Sequence, residues 1–202
     1  MKQTALKVLL LSLRDIWLDL WSVLVCNIVW LISVFLIIPG PPATLALFYY
    51  ANQTVHEEPV NVTDFFRAIP RFWWTGWRWG IINVIAMAVL AGDILLTSHQ
   101  SQTGVIAFFN GLYFTLFAFW LLLQTFVLPF LFEQETPAMI QALRNSTVMI
   151  GKNPFFSLAL LLLLLVTLAL GTITFMLSVA VGGALVAFAG NRAVIGQLET
   201  HQ

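Results

Sequence analysis

Between Lys152 and Arg192 the chain carries no charged side chain. The apolar part of that stretch, Pro154 to Gly190, is nearly twice the roughly 20 residues that cross a bilayer core of about 30 Å as a helix. It therefore reads as two helical crossings, about 154–171 and 174–190, turning at Gly171-Thr172-Ile173-Thr174. The remainder agrees: 60% of the 202 residues are apolar and 9% charged, with a mean hydropathy of +0.92. A soluble surface is not built from such a composition. In lipid the backbone must satisfy its own polar groups, so the expected fold class is all-α, a polytopic transmembrane helix bundle.

Three further apolar runs, about 20–38, 79–97 and 104–132, are expected spans. Residues 42–56 begin apolar and end in Asn52-Gln53-Thr54, short for a crossing, and the placement of basic residues decides their role. Cytoplasmic loops collect Lys and Arg. If 42–56 crosses, Lys2, Lys7, Arg14, Arg67, Arg71, Arg78, Arg144, Lys152 and Arg192 all fall on one side. If it does not, Arg67, Arg71 and Arg78 move to the opposite side from Lys2, Lys7 and Arg14. The expectation is six spans with both termini cytoplasmic, in a bacterial inner membrane.

This topology divides the chain into three hairpins, each preceded by an amphipathic or interfacial cytoplasmic helix. The first such helix, 4–19, gathers Lys7, Ser12, Arg14, Asp15 and Asp19 in a sector of roughly 160°, with Leu6, Leu9, Leu10, Leu13, Ile16, Trp17 and Leu20 opposite. The other leaders are 62–77 and 137–151. Asp64 and Thr136 are suited to accept from free N–H groups at their starts, and Pro137 suits a first helical position.

Two groups of residues are candidate sites. Arg71, Trp73, Trp74, Trp77 and Arg78 form an interfacial run suited to lipid headgroups or to a partner subunit, since both chemistries favour Trp and Arg. Asn27, Asn83, Asp93, Asn110 and Gln124 are polar groups within the spans, expected either to bond helices together or to line a solute path. Small residues at four-residue spacing, Gly76/Gly80, Ala88/Gly92, Ala180/Ala184 and Gly183/Ala187, mark expected helix seams.

Other chemistries find no support. The lone cysteine, Cys26, forms no internal disulfide, and no Cys/His cluster has metal-ligand spacing. His56, His99 and His201 lie at a helix end, in a loop and in the tail, away from the mid-span position a haem ligand needs. No phosphate-cradling loop, nucleophile elbow or zinc motif occurs, so the chain is expected not to be an enzyme. Nine basic and nine acidic residues balance, which gives no pull toward nucleic acid. A lipid, quinone or carotenoid held by shape and dispersion would leave no motif.

Trp30, Pro42-Ala43, Ala46-Leu47-Phe48 and Asp64-Phe65-Phe66 resemble the pattern of the YesL-like family of small bacterial integral membrane proteins. The resemblance implies a class, a domain of unknown function often encoded beside carbohydrate-uptake genes, and no catalytic residues. The functional expectation is a non-catalytic accessory or scaffold subunit of a larger membrane complex, a transporter or an energy-transducing assembly. It would be in contact with lipids and other integral membrane subunits. The alternative is a permease for a small neutral solute, such as a sugar, with Asp93 and the amides along its path. A membrane sensor or assembly factor is a third.

Overall fold

The structure, a computed structural model, describes residues 4–98, 104–173 and 176–199. These residues form nine helices and no strand: α1 (Ala5–Leu18), α2 (Leu20–Phe35), α3 (Gly40–Val55), α4 (Val62–Arg71), α5 (Trp73–Ser98), α6 (Gly104–Phe132), α7 (Met139–Lys152), α8 (Pro154–Ile173) and α9 (Met176–Glu199). Consecutive helices α2 and α3, α5 and α6, and α8 and α9 pack on each other. Helices α3 and α9 lie against most of the others and supply much of the core, including Tyr50, Leu45, Phe188 and Val194.

Three stretches are long and apolar enough to cross a membrane: Trp73–Thr97, Gly104–Phe132 and Val181–Leu198. The number rises to five if two bent pairs each make one span, α1 with α2, bent by 99°, and α7 with the Pro154–Leu170 part of α8, bent by 104°. Those bends set α1 and α7 nearly at right angles to the helices that follow. Helix α3 does not qualify by length: its 16 residues reach only about 24 Å.

Local chemistry sets the boundaries. Thr4 caps α1 by accepting from the Lys7 N–H at 3.4 Å. Helix α4 opens with a capping box in which Asp64 accepts from the Asn61 N–H at 2.9 Å. It stops at Arg71, just after Pro70, so the tryptophan run belongs to α5 and not to a leader extending to residue 77. Thr136 does not cap α7, whose first residue is Met139; Gln134 instead accepts from the Ala138 N–H at 2.8 Å. Gly171–Ile173 continue α8 rather than turning, and Thr174 lies outside the described residues. Ile37 sits at φ 64 in the turn between α2 and α3, a left-handed conformation that a β-branched residue adopts only under strain.

Several seams are built on glycine. A Cβ on Gly76 would lie 2.7 Å from the Pro42 backbone, and one on Gly80 would lie 2.9 Å from the Pro41 ring, so α5 meets the start of α3 at backbone distance. Gly183 faces the Trp30 ring, which lets α2 settle on α9. Gly92, by contrast, faces open space.

Candidate functional site

Two buried polar networks converge on α9, one from α1 and one from α3 and α6. Helix α1 buries Ala5, Val8, Leu9, Ser12, Asp15 and Ile16. Asp15 and Ser12, expected on a water-facing sector, thus point into the protein, while Leu6, Leu10 and Trp17 remain exposed. The reason lies at the far end of the chain. Arg192 Nε of α9 donates to Asp15 Oδ2 at 2.6 Å, and Asp15 is 5% exposed. Ser12 returns its hydroxyl to the Val8 carbonyl at 2.8 Å.

A second network joins α3, α6 and α9. Asn52 Nδ2 donates to Glu133 Oε1 at 2.6 Å and to Asn191 Oδ1 at 3.1 Å. Asn191 Nδ2 donates in turn to the Ala187 and Phe48 carbonyls. His56 Nε2 lies 2.8 Å from the same Glu133 oxygen. Nearby, Tyr50 donates to Asp19, which also accepts from Ser22 at 2.7 Å. These groups satisfy one another, as buried polar groups must when water is excluded.

The sequence-selected amides are separated by the fold. Asn27 is fully buried and accepts from the Ala184 N–H of α9 at 2.9 Å. Asn83 and Gln124 belong to a ladder between α5 and α6: Trp120 Nε1 donates to Asn83 Oδ1 at 3.2 Å, Asn83 Nδ2 to the Trp79 carbonyl at 2.9 Å, and Trp79 Nε1 to Gln124 Oε1 at 3.0 Å. Asn110 lines a shallow hollow with Ile94 and Phe114. Asp93 is half-buried on α5, and its carbonyl accepts from Thr97. The five polar residues therefore occupy four places rather than one. His99 and His201 lie outside the described residues.

The tryptophan run splits between two faces of α5. Trp74, 75% exposed, and Arg78 face outward on α5, while Trp73 and Trp77 are half-buried; Arg71, the last residue of α4, is also exposed. The Arg71 guanidinium lies 5.4 Å from the Phe72 ring centre and 5.7 Å from that of Tyr49. Helix α5 buries little: no residue of its most apolar stretch is buried, and Ile81, Val84, Ile85, Val89, Leu95 and Leu96 are exposed. The first half of α6 is similarly exposed at Val105, Phe108 and Phe114, whereas Leu122 to Leu131 are almost continuously buried.

One cavity of about 270 Å3 opens between α2, α3, α5, α6 and α9. Trp30, Phe48 and Trp79 supply aromatic walls, Thr44, Gln124 and Thr125 supply polar groups, and no charged residue lines it. Gln124 and Thr125 are both recognisable from the sequence as polar groups within an apolar run, whereas Asn52, Glu133, Asn191 and the Asp15–Arg192 pair are not marked there as sites. Only the polar residues flanking apolar runs hinted at them. Compared with protein-family models, curated proteins and solved structures, the chain matches none.

Proposed function

We propose that this chain is a non-catalytic integral membrane subunit, an accessory or scaffold component of a larger transporter or energy-transducing complex. The observation that carries this reading is the bare α5–α6 hairpin. Its polar ladder is confined to Trp79, Asn83, Trp120 and Gln124, and beyond it both helices present wide apolar faces. Lipid tails solvate such a surface, and so does a second membrane protein whose small and aromatic residues pack against it. Arg71, Trp74 and Arg78 border the hairpin at its base with the side-chain chemistry of an interface anchor.

The reading includes a topology of six crossings, α2, α3, α5, α6, α8 and α9, with α1, α4 and α7 at the cytoplasmic face and both termini on the cytoplasmic side of a bacterial inner membrane. The single-sided placement of all nine basic residues supports it. So does the burial of α3, since a short crossing is tolerated when neighbouring helices cover it. The YesL-like resemblance is part of the same proposal and adds no mechanism.

Photo-crosslinking groups placed at Val84, Ile85 and Val89 in native membranes test the subunit role. Discrete protein adducts are expected there, and lipid adducts alone at all three positions contradict it. The second reading, a small-solute permease, rests on the Asn83-to-Gln124 ladder as a polar feature between two spans. It requires liposome uptake that is lost in Asp93→Asn.

A further inference from the structure

Of the three polar side chains lining the 270 Å3 cavity besides the indoles, Thr44 completes its hydrogen bonds, accepting from Trp30 Nε1 and donating to the Gly40 carbonyl, and Gln124 and Thr125 do not. Thr44, Thr54, Thr115, Thr147 and Thr167 each return the hydroxyl to the carbonyl four residues back. Thr125, only 6% exposed, does not, and its hydroxyl has no partner among the described residues. Gln124 is half satisfied. Trp79 Nε1 donates to its Oε1 at 3.0 Å, which fixes the amide orientation and leaves both Nε2 protons without a partner among the described residues. A buried hydroxyl without a partner is costly, and helical threonines ordinarily avoid that cost by bonding back.

The geometry points to this cavity as a binding site for a neutral, ring-shaped molecule bearing a carbonyl-type oxygen. Its volume of about 270 Å3 is almost twice the roughly 150 Å3 cavity that takes up benzene, so it accepts a substituted six-membered ring. The indoles of Trp30 and Trp79 and the Phe48 ring favour a flat partner. Gln124 Nε2 and the Thr125 hydroxyl offer donors to an acceptor oxygen, and the uncharged lining disfavours an ion. A membrane-soluble quinone headgroup and a free cyclic carbonyl compound share this chemistry. The site does not depend on the subunit role.

The test uses full-length protein in nanodiscs of phosphatidylethanolamine and phosphatidylglycerol, titrated with a fully substituted, short-tailed benzoquinone while tryptophan fluorescence is followed. Saturable quenching is expected, because two of the eight tryptophans line the cavity. Thr125→Val and Gln124→Leu each weaken the apparent affinity about two- to tenfold. Gly183→Ala, whose methyl would collide with the Trp30 ring that walls the cavity, removes the saturable component. Without ligand, Thr125→Val melts no lower than the native chain, an outcome that a purely structural threonine would not give. Competition by a tail-less, fully substituted benzoquinone identifies a free carbonyl compound as a sufficient ligand, while competition by tailed quinones alone identifies the membrane-soluble class. The inference is overturned by quenching that does not saturate or is equal in all variants. It is also overturned by tetramethylbenzene competing as well as the quinone, or by Thr125→Val lowering stability with binding intact.

Discussion

Replacing Arg192 with methionine tests whether α1 is an integral part of the bundle or only a helix lying on the membrane. Arg192 is the close partner of Asp15, at 2.6 Å, with the two side chains 19% and 5% exposed. Removing one member of a buried pair strands the other charge, at a typical cost of about 3–5 kcal/mol. Arg14 softens the loss, because its Nη2 lies 3.5 Å from Asp15 Oδ1, although its own side chain is 58% exposed and solvent weakens the attraction. The expected cost is therefore near the lower end, about 3 kcal/mol, or roughly a hundredfold in the folding equilibrium. Asp15→Leu combined with Arg192→Met removes both charges and should return to within about 1 kcal/mol of the native chain. Denaturing-detergent titration in mixed micelles, followed by helical circular dichroism, measures all three proteins. A loss below about 1 kcal/mol in Arg192→Met, or a double variant as unstable as the single one, refutes the assignment of this pair as buried and coupled.

The glycine seams and the polar networks yield further predictions by the same titration. Gly76→Ala should cost about 1–3 kcal/mol, because the new methyl meets the Pro42 backbone and neither helix can yield locally. Gly92→Ala should instead be neutral or stabilising by up to about 1 kcal/mol, since open space surrounds that position. Asn191→Leu should cost about 2 kcal/mol by removing the donor shared by the Phe48 and Ala187 carbonyls and the acceptor for Asn52. Ile37→Gly should stabilise the chain by about 1 kcal/mol by relieving the left-handed backbone at φ 64; a clear loss would assign the isoleucine side chain a packing role that outweighs the strain.

The helical class and the presence of helices apolar enough to cross a membrane were legible because they depend on local hydropathy, which needs no knowledge of distant contacts. Helix α1 illustrates where that reasoning ends. Its bounds follow from Thr4 and the apolar periodicity, but a helical wheel assigns Asp15 to water, and only the fold supplies Arg192, 177 positions away in sequence. Helix α3 looked marginal for the same reason. Its small residues Ala43, Ala46 and Ala51 permit close burial, but its neighbours come from the rest of the chain. The break at Phe72 was readable in part from Pro70, yet the apolar and basic run continued across it. The small-residue pattern found the Gly76–Gly80 seam and the Trp30 contact at Gly183, and it also marked Gly92, which meets nothing. Spacing identifies residues able to form a seam, whereas the partner surface determines whether one forms. For the cavity, Gln124 was recognisable as an intramembrane amide, while Thr125 became informative only once its missing back-bond could be compared with those of other helical threonines.

Extraction of native membranes in mild detergent, followed by sizing and mass spectrometry of everything that comigrates with this chain, tests the subunit reading most directly. The account predicts a stoichiometric assembly well above the 22.6 kDa of the chain alone, with another integral membrane protein crosslinked to α5. Migration as a lone monomer, with α5 crosslinking only to lipid, would contradict it.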